Sequence, residues 1–370
     1  MAKKLSGLGL MILLVLSTGG IKARATGIDI SVFYTDLAPY GEWISLDPYG
    51  WVWTPYDIAP GWQPYSDGDW VYSDDGWTFV SPIEWGWACY HYGRWGLSND
   101  IGWFWVPDRV WGPAWVAWRY GGDYIGWAPL PPGVGWSFGA GLELGGFDLD
   151  SGIGWSSWAF CPVSRFTSPH VRRYIVNPGR NVTLIGVTKN VTNYTAVNNR
   201  IVNNNVDIMQ IEKAAGRPIP RYKIVEGPAG EKAHVARISG TELQVFRPAI
   251  SSRKPEVAPK NVLPPRYRGS EEAVAKRQAE EGKKLTSHHY AKMTQLQRQQ
   301  QQENAPPQGM SQEELNKRHQ QEVQALQEQQ QKEKQILENR HKREQMQHQA
   351  NRQAGEPRKQ PKDTGKKRVP

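Results

Sequence analysis

The segment Tyr40-Gly41-Glu42-Trp43, followed by Gly50-Trp51-Val52-Trp53-Thr54-Pro55, recurs as Tyr92-Gly93-Arg94-Trp95, followed by Gly102-Trp103-Phe104-Trp105-Val106-Pro107. The shift is 52 residues at every matched position. A weaker copy, Gly68-Asp69-Trp70 and then Gly76-Trp77-Thr78-Phe79, lies between them. A constant register shift marks one supersecondary unit used more than once. Each copy reads as a short β-hairpin: Trp43-Ile44-Ser45 leads in, Leu46-Asp47-Pro48-Tyr49-Gly50 carries turn chemistry, and Trp51-Val52-Trp53-Thr54 returns. Gly and Pro recur too often here for helices of any length.

All eighteen tryptophans fall between Trp43 and Trp158. Short strands broken by Gly and Pro offer few side chains for a core, and each large ring buries about 150–250 Å². A structural role for most rings follows. The competing role is stacking on sugars or other flat ligands. Residues two apart on a strand share a face, so the stacking candidates are Trp51 with Trp53, Trp85 with Trp87, and Trp103 with Trp105. On the same logic Trp85, Trp87, Cys89, His91 and Trp95 share one face of an expected strand. Upstream, the alternation of Ile28, Ile30 and Val32 with Asp29 and Ser31 predicts an entry strand over 27–34.

Charge divides the chain. Residues 26–160 hold sixteen Asp and Glu against three Arg and no Lys, a balance of −13. Residues 161–370 hold thirty-eight Lys and Arg against twenty acids, a balance of +18. The net +9 therefore conceals two halves with opposite fields and different partners.

The first 25 residues read as an export signal. Lys3 and Lys4 precede an apolar run over 8–16, and Ala23-Arg24-Ala25 supplies small-residue cleavage chemistry near Ala25. That run is too short to span a bilayer, and no later segment approaches the required length. A secreted or periplasmic bacterial protein without a membrane span is the expectation. In an oxidising compartment Cys89 and Cys161 are candidates for one disulfide, the alternative being two separate buried thiols. A bridge would close a loop of 72 residues, for which chain entropy gives on the order of 4 kcal/mol.

Further along, 133–154 is Gly-rich, and its Asp148 and Asp150, like Asp67, Asp69, Asp74 and Asp75, lack the spacing of a calcium loop. From 171 to 206 the chain turns rich in Asn, Val and Thr, with Asn181-Val182-Thr183, Asn190-Val191-Thr192 and Asn198-Asn199-Arg200 suggesting short strands and tight turns. The spacing invites a β-solenoid, but three irregular copies are too few to establish one. Residues 207–215 predict a helix with Asp207 as N-cap, Ile208 and Ile211 on one face, and Gly216 as terminator. Strands are expected over 222–225 and 243–246. A Pro-bearing linker over 248–270 leads to a tail rich in Gln, Glu, Lys and Arg. There Ser311-Gln312-Glu313-Glu314 opens a helix with favourable i,i+4 pairs such as Glu313–Lys317. Leu315, Val323, Leu326 and Leu337 do not sustain a heptad, so a solvated, partly formed helix over 311–349 and a disordered end are expected.

The predicted fold is mainly β. Trp-rich antiparallel hairpin repeats over 26–160 form a barrel or stacked small sheets, 161–247 form a second β-rich unit with one helix, and 271–370 form a partly helical, largely disordered tail. The ordered series Tyr34-Thr35-Asp36-Leu37-Ala38-Pro39-Tyr40-Gly41-Glu42-Trp43, Gly50-Trp51-Val52-Trp53, Tyr90-His91-Tyr92-Gly93-Arg94-Trp95 and Gly126-Trp127-Ala128-Pro129-Leu130-Pro131-Pro132 resembles a family of exported bacterial proteins known only as domain of unknown function 6600. The resemblance covers roughly 28–250. It implies an envelope or secreted protein and brings no catalytic residues with it.

Enzyme chemistry has no strong signature. HExxH, P-loop and CxxC patterns are absent from the sequence. A Cys89–His91 nucleophile pair, or Glu84 with Asp108 as a carboxylate pair, could each be posed, yet sixteen acids always supply some pair. No cofactor or metal is implied. Specific nucleic-acid binding is disfavoured because the aromatic half is acidic and would repel phosphate. The reading is a non-catalytic envelope protein, structural or adhesive. Its alternatives are a carbohydrate- or peptidoglycan-binding module using exposed Trp, and binding of an anionic surface polymer through the basic tail. Oligomeric state has no signature in the sequence.

Overall fold

The computed structural model describes residues 28–227, 234–251, 258–260, 270–303 and 305–355. The export signal and most of the linker lie outside the described residues. The chain opens with helix α1 (Ser31–Leu37), where a strand was expected. Asp29 Oδ1 accepts from the Ser31 amide at 2.7 Å and starts the turn. Phe33 and Leu37, one helical turn apart, are then fully buried. The i,i+4 pair outweighed the period-two alternation.

The repeated hairpins form as read. Strands β1 (Gly41–Leu46) and β2 (Gly50–Pro55) pair antiparallel with Trp43 opposite Trp53. Strands β3 (Asp69–Ser73) and β4 (Gly76–Val80) make the weaker copy. The expected strand over 85–95 is instead a short helix, α2 (Gly86–Cys89), followed by a turn in which the Tyr92 amide donates to the Ala88 carbonyl at 2.8 Å. Trp85 and Trp87 are both buried because this segment is enclosed on every side, not because they share a strand face. Strands β5 (Arg94–Ser98) and β6 (Gly102–Val106) then repeat the first hairpin, with Trp95 opposite Trp105.

Next come hairpin β7 (Val116–Gly121) with β8 (Tyr124–Pro129), the two-stranded β9 (Gly135–Ser137) and β10 (Gly141–Glu143), and β11 (Ala159–Pro162). Helix α3 (Asn181–Val187) occupies residues expected as a strand. The preceding turn explains it: Asn177 Oδ1 accepts from the Gly179 amide at 3.0 Å with Pro178 between them, a ready helix start. Strands β12 (Lys189–Asn190), β13 (Tyr194–Val197) and β14 (Arg200–Asn203) follow and form no solenoid. Helix α4 (Ile208–Ala215) is as predicted, with Asp207 accepting from the Met209 amide and Gly216 left-handed at φ +66°. Strands β15 (Arg221–Glu226), β16 (Arg237–Ser239) and β17 (Glu242–Val245) complete the head.

The sheets are open and small rather than a barrel. Their orders are β1-β2-β6-β5, β11-β8-β7-β12 and β13-β14-β4-β3-β15-β17-β16, beside the β9/β10 pair. Three of these pairings cross the expected boundary at residue 160: β4 with β14, β3 with β15, and β7 with β12. The two predicted β units are therefore one body with a shared core.

The tail differs most from expectation. Helices α5 (Glu271–Gln302) and α6 (Gln312–Gly355) form an antiparallel hairpin that lies against the head. Ser270 caps α5. Ser311 and Glu314 close a reciprocal capping box on α6. Few leucines suffice: Leu285, Leu296, Leu315 and Leu326 are buried. Between them run polar layers, Arg277 and Gln278 on Glu344, His289 on Glu333, and Gln300 on Glu322. These layers do the work that the broken heptad could not.

Candidate functional site

Fourteen of the eighteen tryptophans are buried, which decides their role as core. Six indoles donate to backbone carbonyls, among them Trp53 to Leu37, Trp77 to Val206, Trp105 to Tyr92 and Trp127 to Tyr65, at 2.7–3.1 Å. Each such bond fixes a ring and satisfies a buried donor. Of the six stacking candidates, Trp53, Trp85, Trp87 and Trp105 are within this core and unavailable to a ligand. Trp51 is 36 % exposed and Trp103 is half-buried. Because β2 and β6 run antiparallel through the Trp53–Trp105 pair, those two rings sit at opposite ends of the strand pair, roughly 14 Å apart at strand rise. They cannot flank one sugar ring.

The proposed nucleophile and acid pairs do not assemble. Cys89 and Cys161 are free, buried thiols, so the expected bridge is not formed, and burial raises the pKa of both. His91 hydrogen-bonds through Nδ1 to the Gly112 carbonyl at 2.9 Å and stacks on Trp111. Burial pushes its pKa down to about 4, against the Gly112 bond, so the ring is neutral and structural. Glu84 meets the Tyr40 phenol, whereas Asp108 accepts from the Arg109 amide. One short match to the nucleophile-elbow pattern escaped the motif reading, Gly135-Trp136-Ser137-Phe138-Gly139. Its Ser137 ends a strand of the β9/β10 hairpin and accepts from the Ala140 amide at 3.2 Å, not at a strand-to-helix turn. Among the described residues no cluster of His, Cys, Asp and Glu could hold a metal.

The concave feature lies where the helical hairpin meets the head. A cavity of about 410 Å³ opens there, within the usual range for small-molecule sites. Leu97, Ile101 and Trp103 of the β5/β6 hairpin face Leu285, Ile336 and Leu337 of α5 and α6 across it. Trp62, whose indole N–H has no partner among the described residues, is also in its wall. On the rim, Glu281 is held by Arg277 at 3.0 Å and by Arg340 and His341 at 2.8 Å. Burial alone would raise its pKa, but His341, Arg340 and Arg277 outweigh burial and lower it to about 2. Lys284 and Lys332 on the same rim have no carboxylate partner among the described residues. Sequence reasoning missed this site because half of it comes from a tail read as solvated. The apolar triad Leu285, Ile336 and Leu337 was its only local signal.

The seam is closed by polar contacts between hairpin and head. Thr183 donates to Glu322 at 2.8 Å, Asn177 donates to the Lys292 carbonyl at 2.7 Å, and Arg180 pairs with Glu303 at 2.9 Å. At the other end Gln347 donates to Glu42. Among the described residues no helix is long and apolar enough to cross a membrane.

Residues 34–134 match the model of a family of unknown function, DUF6600. The match begins within α1, covers the repeated hairpins and stops before β9, short of the 28–250 expected from the motifs. No curated protein and no solved structure matches the chain.

Proposed function

We propose that this is a non-catalytic protein of the bacterial envelope, exported through its N-terminal signal, in which the Trp-rich head is scaffold and the seam between head and helical hairpin holds a ligand. The observation that carries this reading is the 410 Å³ cavity walled by apolar side chains from both parts. Clefts between two packed units, apolar with a few polar groups, are where small ligands bind. The glycan reading narrows to Trp103, the one stacking candidate in the cavity wall. Polyanion binding by the tail cannot draw on Arg277, Arg318 and Arg340, which are matched to Glu344, Glu303 and Glu281 within the hairpin.

The test is a titration of intrinsic Trp fluorescence in the mature chain, using muropeptides, neutral and acidic polysaccharides, and amphiphiles. A saturable shift lost in Trp103→Ala supports the seam. A panel in which nothing shifts the emission, with an apolar dye also failing to enter, would remove it.

A further inference from the structure

The seam contains a second cavity of about 100 Å³ that shares Gly61, Gln63, Gln329 and Glu333 with the first. The two therefore adjoin, and their linings differ. The larger is walled by Trp103, Leu97, Ile101, Ile336 and Leu337, with Glu281, Lys284, Lys332 and Arg340 at its rim. The smaller is lined by Arg172, His288, His289 and Lys292, with Glu333 as its one carboxylate.

Charge in the smaller cavity is not balanced. Arg172 is met by both oxygens of Asp67 at 2.8 Å, and His289 by Glu333 at 2.8 Å. Lys292 is half-buried and has no carboxylate partner among the described residues. Burial lowers its pKa, Arg172 lowers it further, and Glu333 only partly opposes them. Burial lowers the pKa of His288, Glu333 opposes, and Lys292, His289 and Arg172 lower it further. Trp158, 1 % exposed, adds a buried indole N–H without a partner to this wall, as Trp62 does in the larger cavity. Asn181 Oδ1 and Gln329 Oε1 are buried acceptors without partners in the same lining, so the wall offers unmatched donors and acceptors together, and the Lys292 ammonium is the charge left for an anion to meet.

We propose that the seam binds a single-chain amphiphile with an anionic head, its apolar chain lying in the larger cavity against Trp103 and Ile336 and its carboxylate or phosphate head beside Lys292 in the smaller. This rests on the seam being a ligand site and names the class of ligand. A neutral glycan would leave Lys292 unmatched, and a bare inorganic anion would leave the apolar walls unfilled.

Binding to the full mature chain is measured by calorimetry below micelle-forming concentration with dodecanoate, dodecyl phosphate, dodecanol and inorganic phosphate. Both dodecyl anions are expected to bind about tenfold or more tighter than dodecanol, the worth of one charge-assisted hydrogen bond. Inorganic phosphate is expected to compete only weakly. Lys292→Ala should reduce the anions to the affinity of dodecanol and leave dodecanol unchanged, and Ile336→Glu should weaken all three dodecyl ligands. Equal binding of dodecanol and the anions overturns the proposal, as does phosphate competing as strongly as dodecyl phosphate. Muropeptide binding with no amphiphile binding overturns it while leaving the seam a ligand site. Failure of every probe removes the seam itself.

Discussion

Trp53 and Trp105 stand opposite each other where β2 meets β6, and they are the same position of the 52-residue repeat. The rings around them obey the same exchange. Trp43 meets Trp105 at 6.4 Å and 62°, and Trp95 meets Trp53 at 6.4 Å and 63°. The duplicated hairpin thus pairs with its own copy about a local two-fold axis, and each copy covers an edge that the other would leave bare. Gly41 and Gly93, also 52 apart, lie against the Trp53 and Trp105 indoles. Gly41→Ala and Gly93→Ala should each destabilise the head by about 1–3 kcal/mol through overpacking. Gly93 should be the worse, because its φ of +68° adds strain. Chemical denaturation of each variant measures the cost, and parity with wild type at both positions would show that neither glycine is packed against the indole of its hairpin.

Within one strand, Trp51 and Trp53 separate the two roles of Trp. Trp53 is fully buried and anchored to the Leu37 carbonyl, so Trp53→Ala should cost about 3–5 kcal/mol. Trp51 is 36 % exposed, and Trp51→Ala should cost under about 1 kcal/mol. Thermal midpoints of the two variants test the contrast.

The hairpins were legible because the repeat fixes their register and Gly50 and Gly102 mark equivalent turns with positive φ. The helix at Ile208–Ala215 was legible for the same kind of reason, both of its caps being local. What escaped was set by distant partners. Residues 85–89 carry a strand-like alternation, but enclosure on all sides removed any penalty for coiling. The tail lacks a heptad, and its order comes from pairs such as Gln278 with Glu344 and Thr183 with Glu322, far apart in sequence. The ligand seam, built between the best-read and worst-read parts of the chain, could not be anticipated from either.

His91 makes stability depend on acidity. Its pKa falls from 6.5 to about 4 on folding, so the folded state binds fewer protons than the unfolded state in between. Its contribution is fully present above pH 6.5 and is lost as pH falls through about 4, amounting to roughly 3 kcal/mol. Denaturant midpoints taken from pH 7 to 4 should fall less steeply in His91→Gln, which keeps a donor for the Gly112 carbonyl. Identical slopes would show that the imidazole is not held neutral.

The two thiols give a chemical count. Cys89 sits at the end of α2 and Cys161 in β11, both buried and unbridged. Burial raises both pKa values and suppresses the reactive thiolate. The folded protein should react negligibly with a thiol-specific disulfide reagent, and unfolding it without reductant should release two thiols per chain. A count of zero would establish the bridge that the structure lacks.

Docking of the helical hairpin turns on Gly179. A Cβ placed there would lie 2.6 Å from the Glu322 carbonyl oxygen, 3.1 Å from Leu326 and 3.2 Å from Leu296. The first contact is backbone of α6, which cannot yield without moving the helix. Leu296 and Leu326 are the buried residues that hold both helices at this point, and Thr183–Glu322 and Arg180–Glu303 flank them. Gly179→Val should therefore lift the hairpin while leaving the head folded. Hydrogen exchange should show lost protection around Leu296 and Leu326, and Trp emission should shift as Trp62, Trp103 and Trp158 in the seam walls meet water. Amphiphile binding should weaken in parallel, because the seam needs both walls. Full protection in the variant would mean that the hairpin does not press on this turn, and the cavity drawn between them would lose one side.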